Sequence, residues 1–177
     1  ITVYNFTNID TVKAKSPFLK ISAKSKFMDK ANLTLEARYN LNSKKAEHQV
    51  NAQLTNFKLA QLNKTIAALA PISIKEGIAH SANIKYKANK HEAKGTIDLY
   101  YTDLLIEVIK NEKKHKQYGV ISFVANNILK KNNIPNTPKY KQGKIDCNPD
   151  PHKSILNYMW SCVKSGLKSS LSRSKKK

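Results

Sequence analysis

Apolar and polar residues alternate strictly through the middle of the chain. Ile78, His80, Ala82, Ile84, Tyr86 and Ala88 fall on one face of an extended segment, with Ala79, Ser81, Asn83, Lys85 and Lys87 on the other. A polar turn at 89–92 follows. The return segment places Ala93, Gly95, Ile97, Leu99 and Tyr101 against Lys94, Thr96, Asp98 and Tyr100. Period two over this length predicts a hairpin of two long strands in a sheet with one buried and one wet face. Gly77 allows a bend before the first strand, and Asp103 breaks the alternation of the second. Leu104, Ile106 and Val108 resume it one step out of phase, which predicts a bulge or strand end near Thr102 and Asp103.

The same period recurs upstream. Ile1 to Phe6 starts extended, and the pattern blurs through Asn8, Ile9 and Asp10. After Pro17, the apolar set Leu19, Ile21, Ala23, Ser25 and Phe27 alternates with Lys20, Ser22, Lys24 and Lys26. Leu33, Leu35, Ala37, Tyr39 and Leu41 form the next stripe, then Val50, Ala52 and Leu54. Polar turns at 28–32 and 42–45 join them, which is the pattern of an antiparallel meander. Leu59, Leu62, Ile66 and Leu69 change the period to three and four and predict a short amphipathic helix ended by Pro71. Beyond Ile109 the pattern gives a charged turn at 110–116, a strand at 118–125 and a short helical or irregular piece at 126–131. An extended loop at 132–152 carries Pro135, Pro138, Pro149 and Pro151. A C-terminal helix starts at Ser154, or earlier at Asp150. Its apolar side holds Ile155, Met159, Cys162 or Val163 and Gly166, widened by Leu156, Tyr158, Trp160 and Leu167. The reading is one mainly β domain over 1–168, a curved antiparallel sheet with a helix mid-chain and another at the end, and a disordered basic tail at 169–177.

Charge changes the picture more than composition does. The chain has 177 residues, with 32 basic against 12 acidic side chains and a net charge of +20. Residues 61–109, which hold the central hairpin, are nearly neutral at +1, whereas 110–177 carry +13. A field of that sign attracts phosphates, on nucleic acid or on anionic lipid. Only Arg38 and Arg173 are arginines, and the aromatic residues mostly sit in apolar stripes. This favours diffuse attraction over the reading of bases. No apolar run is long enough to span a bilayer. The chain starts at Ile1 and reads as an excised piece, with any membrane anchor expected upstream.

The candidate chemistry is sparse. His48, His80, His91, His115 and His152 share no metal-ligand spacing. Asp98, Asp103 and Glu107 do not form a carboxylate pair facing one cleft. Ser154, Ser161 and Ser165 lack a nucleophile-elbow context, and the five glycines form no phosphate loop. Asn5, Asn32 and Asn63 each begin a glycosylation sequon. Cys147 and Cys162 leave two alternatives, one bridge in an oxidising compartment or two unpaired thiols. Lys20, Lys24, Lys26, Lys85 and Lys87 share wet strand faces, where lysines also protect edges against pairing. Lys153, Lys164 and Lys168 beside Trp160 would let the C-terminal helix lie on a membrane surface, while its apolar side would equally cover the end of the sheet.

The order of these elements resembles the C-terminal region of AsmA-like proteins of the bacterial envelope. The resemblance rests on Leu54 to Leu59, Leu62-Asn63, the run from Ala70 to Gly77, and the hairpin ending Gly95 to Leu104. Asn157 to Trp160 and Lys164 to Leu167 are similar to the end of such proteins in the Bacteroidetes. The resemblance implies a long sheet folded like a taco with an apolar inner face, an anchor upstream, a periplasmic location and a part in phospholipid transport or outer-membrane homeostasis. A groove lined by Ile84, Tyr86, Ile97 and Leu99 would then solvate acyl chains, at about 0.8 kcal/mol per buried methylene. The expected partner is a phospholipid or membrane surface, with an envelope protein as a further partner and no nucleic acid, enzyme activity, cofactor or metal. The alternatives are a basic module for nucleic acid or another polyanion, and a structural C-terminal docking domain.

Overall fold

Among the described residues, each strand pairs with the next described strand along the chain. The computed structural model describes residues 1–27, 31–66, 72–108, 130–148, 150 and 152–172. Among them, seven strands form one open antiparallel sheet in the order β1-β2-β3-β4-β5-β6-β7. These are β1 Thr2–Tyr4, β2 Phe18–Phe27, β3 Ala31–Asn40, β4 His48–Lys58, β5 Ile72–Ala88, β6 Ala93–Val108 and β7 Gly143–Cys147. Helix α1, Asp10–Lys15, links β1 to β2. A 3-10 turn, Leu59–Leu62, runs into α2, Asn63–Ile66. Helix α3, Ile155–Leu171, follows β7.

The register aligns the apolar stripes across the sheet. Ile21 faces Ala37, Ala37 faces Val50, Val50 faces Tyr86, Tyr86 faces Gly95, and Gly95 faces Ile145. Because side chains alternate along each strand, the lysines predicted on wet faces all stand on the opposite side. Gly95 has no substitute here, since a Cβ would lie 2.1 Å from the Lys85 carbonyl oxygen and 2.6 Å from Tyr86 Cβ.

The long hairpin departs from strict alternation at two levels. Asn56 takes φ 44° in β4, and opposite it β5 bulges against β6 between Ala79 and Ser81. Both strands switch face there while β6 does not. Phe57 and Ala79 turn inward, and Ile78, expected inside, is 43 % exposed. His80, expected on the apolar face, stacks instead on Tyr100 with centroids 4.3 Å apart, its Nε2 3.1 Å from Thr102 Oγ1. The second level is the predicted bulge. Asp103 has φ 57°, Leu104 is buried and Leu105 is exposed, so β6 runs on through the break.

Two asparagines complete strands that lose their neighbours. The pairing of β4 with β5 ends at Lys58 and Ile78. Beyond it, Asn63 Nδ2 donates to the Ile74 carbonyl and its Oδ1 accepts from the Ile74 N–H, both at 2.8 Å. On β6, β7 reaches only as far as Ile97. There Asn133 takes over. Its backbone exchanges hydrogen bonds with Tyr101, and its side chain donates to the Leu99 carbonyl at 2.6 Å and accepts from Lys141 N–H at 2.9 Å. Unpaired backbone groups are costly when buried, and Asn133 is fully buried.

Helix α3 begins where the sequence indicates, with Ser154 Oγ accepting from the Asn157 N–H. It packs on β6 and β7. Its buried side is Tyr158, Cys162, Gly166 and Ser170, which keeps Cys162 and Gly166 of the predicted stripe but replaces Ile155 and Met159 by Tyr158 and extends it to Ser170. Ile155 is half exposed, and Tyr158 is central because its hydroxyl donates to the Asn89 carbonyl at 3.1 Å. The helix includes residues 169–171, which the tail reading assigned to disorder, because Ser170 is held inside by the Lys141 carbonyl. The predicted loop at 132–152 contains β7. Its five residues carry the alternation Gly143, Ile145, Cys147 with a single large apolar side chain, too short a signal between prolines. The expected turn at 110–116, strand at 118–125 and most of the piece at 126–131 lie outside the described residues.

Candidate functional site

The four expected groove residues separate. Tyr86, Ile97 and Leu99 are core, at 5 %, 0 % and 6 % exposure, and only Ile84 is half-buried. The cause is α3. Gly166 brings the helix backbone so close to the sheet that a Cβ there would lie 2.6 Å from Ile97 Cδ1. Tyr86 sits beside His48 with ring centroids 6.5 Å apart, and its phenol is pushed up from its ordinary value by burial, then by Cys162. Burial of this kind leaves no room for an acyl chain, so these three residues do not line a groove.

The apolar face away from α3 differs. Among the described elements, α3 packs on β6 and β7, and the 3-10 turn and α2 pack on β5. Ile21, Leu33, Leu35, Tyr39, Ala52 and Leu54, on β2, β3 and β4, remain half-buried beside Ile84. In register, Leu33 faces Leu54, Leu35 faces Ala52, and Ala52 faces Ile84. They form a band of apolar side chains, aliphatic apart from Tyr39, across neighbouring strands and continuous with the core.

The wet face carries a second arrangement. Lys20 stands opposite Arg38, Arg38 opposite Gln49, Gln49 opposite Lys87, and Lys87 opposite Lys94. Like charges directly opposed across a sheet are destabilising, and this row contains two such pairs. Aromatic faces relieve one pair: the Arg38 guanidinium lies 3.5 Å from the Phe18 ring centroid, and Lys20 Nζ 5.9 Å from that of Tyr4. Lys94 is tied to Glu92 at 2.6 Å, which holds the Glu92 carboxyl below its ordinary value. Two shallow depressions of about 510 and 400 Å³ flank the row and share Arg38 and Gln49 in their walls. The sequence shows these residues as wet but not that the register sets them in one line.

The expected membrane-surface residues come together in part. Trp160, Lys164 and Lys168 lie one turn apart on the outer side of α3, Trp160 being 38 % exposed. Lys153 stands before the helix and pairs with Asp150 at 3.2 Å. Among the described residues, no group of three or more His, Cys, Asp or Glu side chains converges as metal ligands, and no helix is long and apolar enough to cross a membrane. Of the sequon asparagines, Asn5 donates to the Ser16 and Phe18 carbonyls, Asn32 accepts from Lys26 Nζ, and Asn63 is committed to Ile74. Comparison with protein-family models, curated proteins and solved structures finds no match to this chain.

Proposed function

We propose that this chain is part of an AsmA-like envelope protein that handles phospholipid on the apolar face of an open sheet. The observation that supports the reading is the half-buried apolar band of β2 to β4, which α3 leaves aside. The aliphatic part of the band offers dispersion contact and exclusion of water with no polar group to match, which suits saturated and unsaturated chains alike. The basic excess, with Trp160, Lys164 and Lys168 on the outside of α3, suits anionic headgroups at a membrane surface. In this reading the protein works in the periplasm without catalysis, and the sheet carries or shields lipid.

Native mass spectrometry of the gently purified chain in high salt, with organic extraction of bound material, tests this. The expected result is phospholipid at a defined stoichiometry, reduced at least several-fold by the paired change Leu35→Ser and Leu54→Ser. A chain that carries no lipid and takes none from phosphatidylglycerol vesicles overturns the reading.

A second reading is favoured by the cationic row on the wet face, which would lie along an extended polyanion. Phosphate contacts weaken steeply with salt, whereas acyl-chain burial does not. Binding that vanishes between low and high salt, and that Lys87→Glu with Arg38→Glu removes, belongs to this second reading.

A further inference from the structure

We infer that Cys147 and Cys162 are the two halves of an intramolecular disulfide that staples α3 to β7. Cys147 is the last residue of β7 and Cys162 the middle of α3, and their Sγ atoms lie 2.8 Å apart, well inside the contact distance of unbonded sulfurs. Neighbouring contacts fix the two backbones independently of the thiols. Ser165 Oγ donates to the Asp146 carbonyl at 2.9 Å and accepts from the Asp146 N–H at 3.2 Å. Gly143 meets Gly166 so closely that a Cβ on it would lie 2.2 Å from the Gly166 carbonyl oxygen. Helix and strand therefore present the sulfurs to each other, and bond formation requires little backbone movement.

Access divides the roles. Cys162 is fully buried and Cys147 half-buried, so an external disulfide meets Cys147 first. Burial raises the Cys162 thiol above its ordinary value, as does its contact with Cys147, so it is the poorer thiolate for the first attack and enters only at the second step, where its contact with Cys147 makes the attack internal. The Cys147 thiolate attacks one sulfur of an oxidised dithiol reagent or disulfide oxidoreductase and releases one thiolate. The Cys162 sulfur then attacks Cys147 in the mixed disulfide and expels the second thiol. Two protein thiols become one disulfide, their two electrons pass to the oxidant, and the oxidant leaves as two thiols. The bond closes a short loop across the turn between β7 and α3, and it persists where no reducing thiol pool competes. This inference does not depend on the lipid reading.

The test treats the full chain with oxidised glutathione, then denatures it, blocks free thiols with N-ethylmaleimide and weighs it. The expected product is a monomer lighter by two hydrogen atoms, with no maleimide and a proteolytic fragment joining Cys147 to Cys162. Thermal unfolding without reductant should lie roughly 5–10 °C above that with reductant. Two maleimide adducts, a lasting glutathione adduct on Cys147 or a disulfide-linked dimer overturns the inference. Cys162→Ser is expected to stop at the Cys147–glutathione adduct. The wild-type mass stands alone if that variant does not fold.

Discussion

Asparagine does unusual work at the scale of single residues. Its amide sets a carbonyl acceptor beside an NH2 group with two donors, so one edge of it resembles a peptide group, and it tolerates left-handed backbone better than most residues. Asn63 and Asn133 use the first property, and Asn5, Asn56 and Asn136 the second. The side chain of Asn133 is the most heavily committed, joining Leu99, Lys141 and Ser170. Asn133→Ala is expected to cost about 3 kcal/mol, because it strands several buried groups at once. Ser170→Ala removes the bond to the Lys141 carbonyl and the long 3.4 Å bond from Asn133 Nδ2, leaves the other Asn133 bonds in place, and should cost about 1 kcal/mol. Urea unfolding of the two variants checks the order, and equal losses would remove the argument that Asn133 replaces a strand. None of this was legible in the sequence. An asparagine in a turn and one that substitutes for a strand look alike, because the difference lies in a neighbour distant in the chain.

At the scale of elements, the meander was readable because each strand has one wet face and so alternates. The central hairpin, the bulge at Asp103 and the Ser154 cap followed from local pattern alone. The failures have separate causes. Tyr86, Ile97 and Leu99 were correctly placed on an apolar face, but alternation does not say what covers that face. β7 and the short α1 were missed because too few residues repeat. The switch at Asn56 and His80 was missed because it takes two strands to make it. What seats α3 is a pair of glycines. Gly143→Ala forces a Cβ against backbone and is expected to cost roughly 2–3 kcal/mol. At Gly166 the nearest atoms belong to the buried Ile97 and Ile145 side chains rather than to backbone, so Gly166→Ala should cost less, roughly 1–2 kcal/mol. Thermal or denaturant unfolding ranks the two, and a milder Gly143 variant would contradict the close approach.

For the whole molecule, the alkaline limit of stability follows from its phenols. Burial raises Tyr86, Tyr101 and Tyr158. Tyr140 is pushed up to about 12, by burial and then by its 2.7 Å bond to Asp98. A raised folded value means that the unfolded chain loses the proton first, so the stabilisation is complete below the ordinary value of 10 and is lost as pH rises towards 12. Lysines shed charge over the same interval and relieve self-repulsion, so the informative comparison is the slope of stability against pH in wild type and in Tyr140→Phe. The variant should show the flatter slope between pH 10 and 12. Equal slopes would mean that Tyr140 ionises as freely in the fold as out of it.

The chain-order sheet also sets where the entropy of assembly falls. From β1 to β6, most connections are short and each new strand meets the one just made. Pairing can therefore advance like a zipper, with small closure costs at each step. The exception is β7, which must return across the whole of 98–142 to reach β6. The largest single loop closure of the described sheet falls on that pairing, although the cost grows only slowly with loop length, and α3 docks beside it. The contacts of Asn133, the glycine seat and the facing cysteines all gather around this most distant joint.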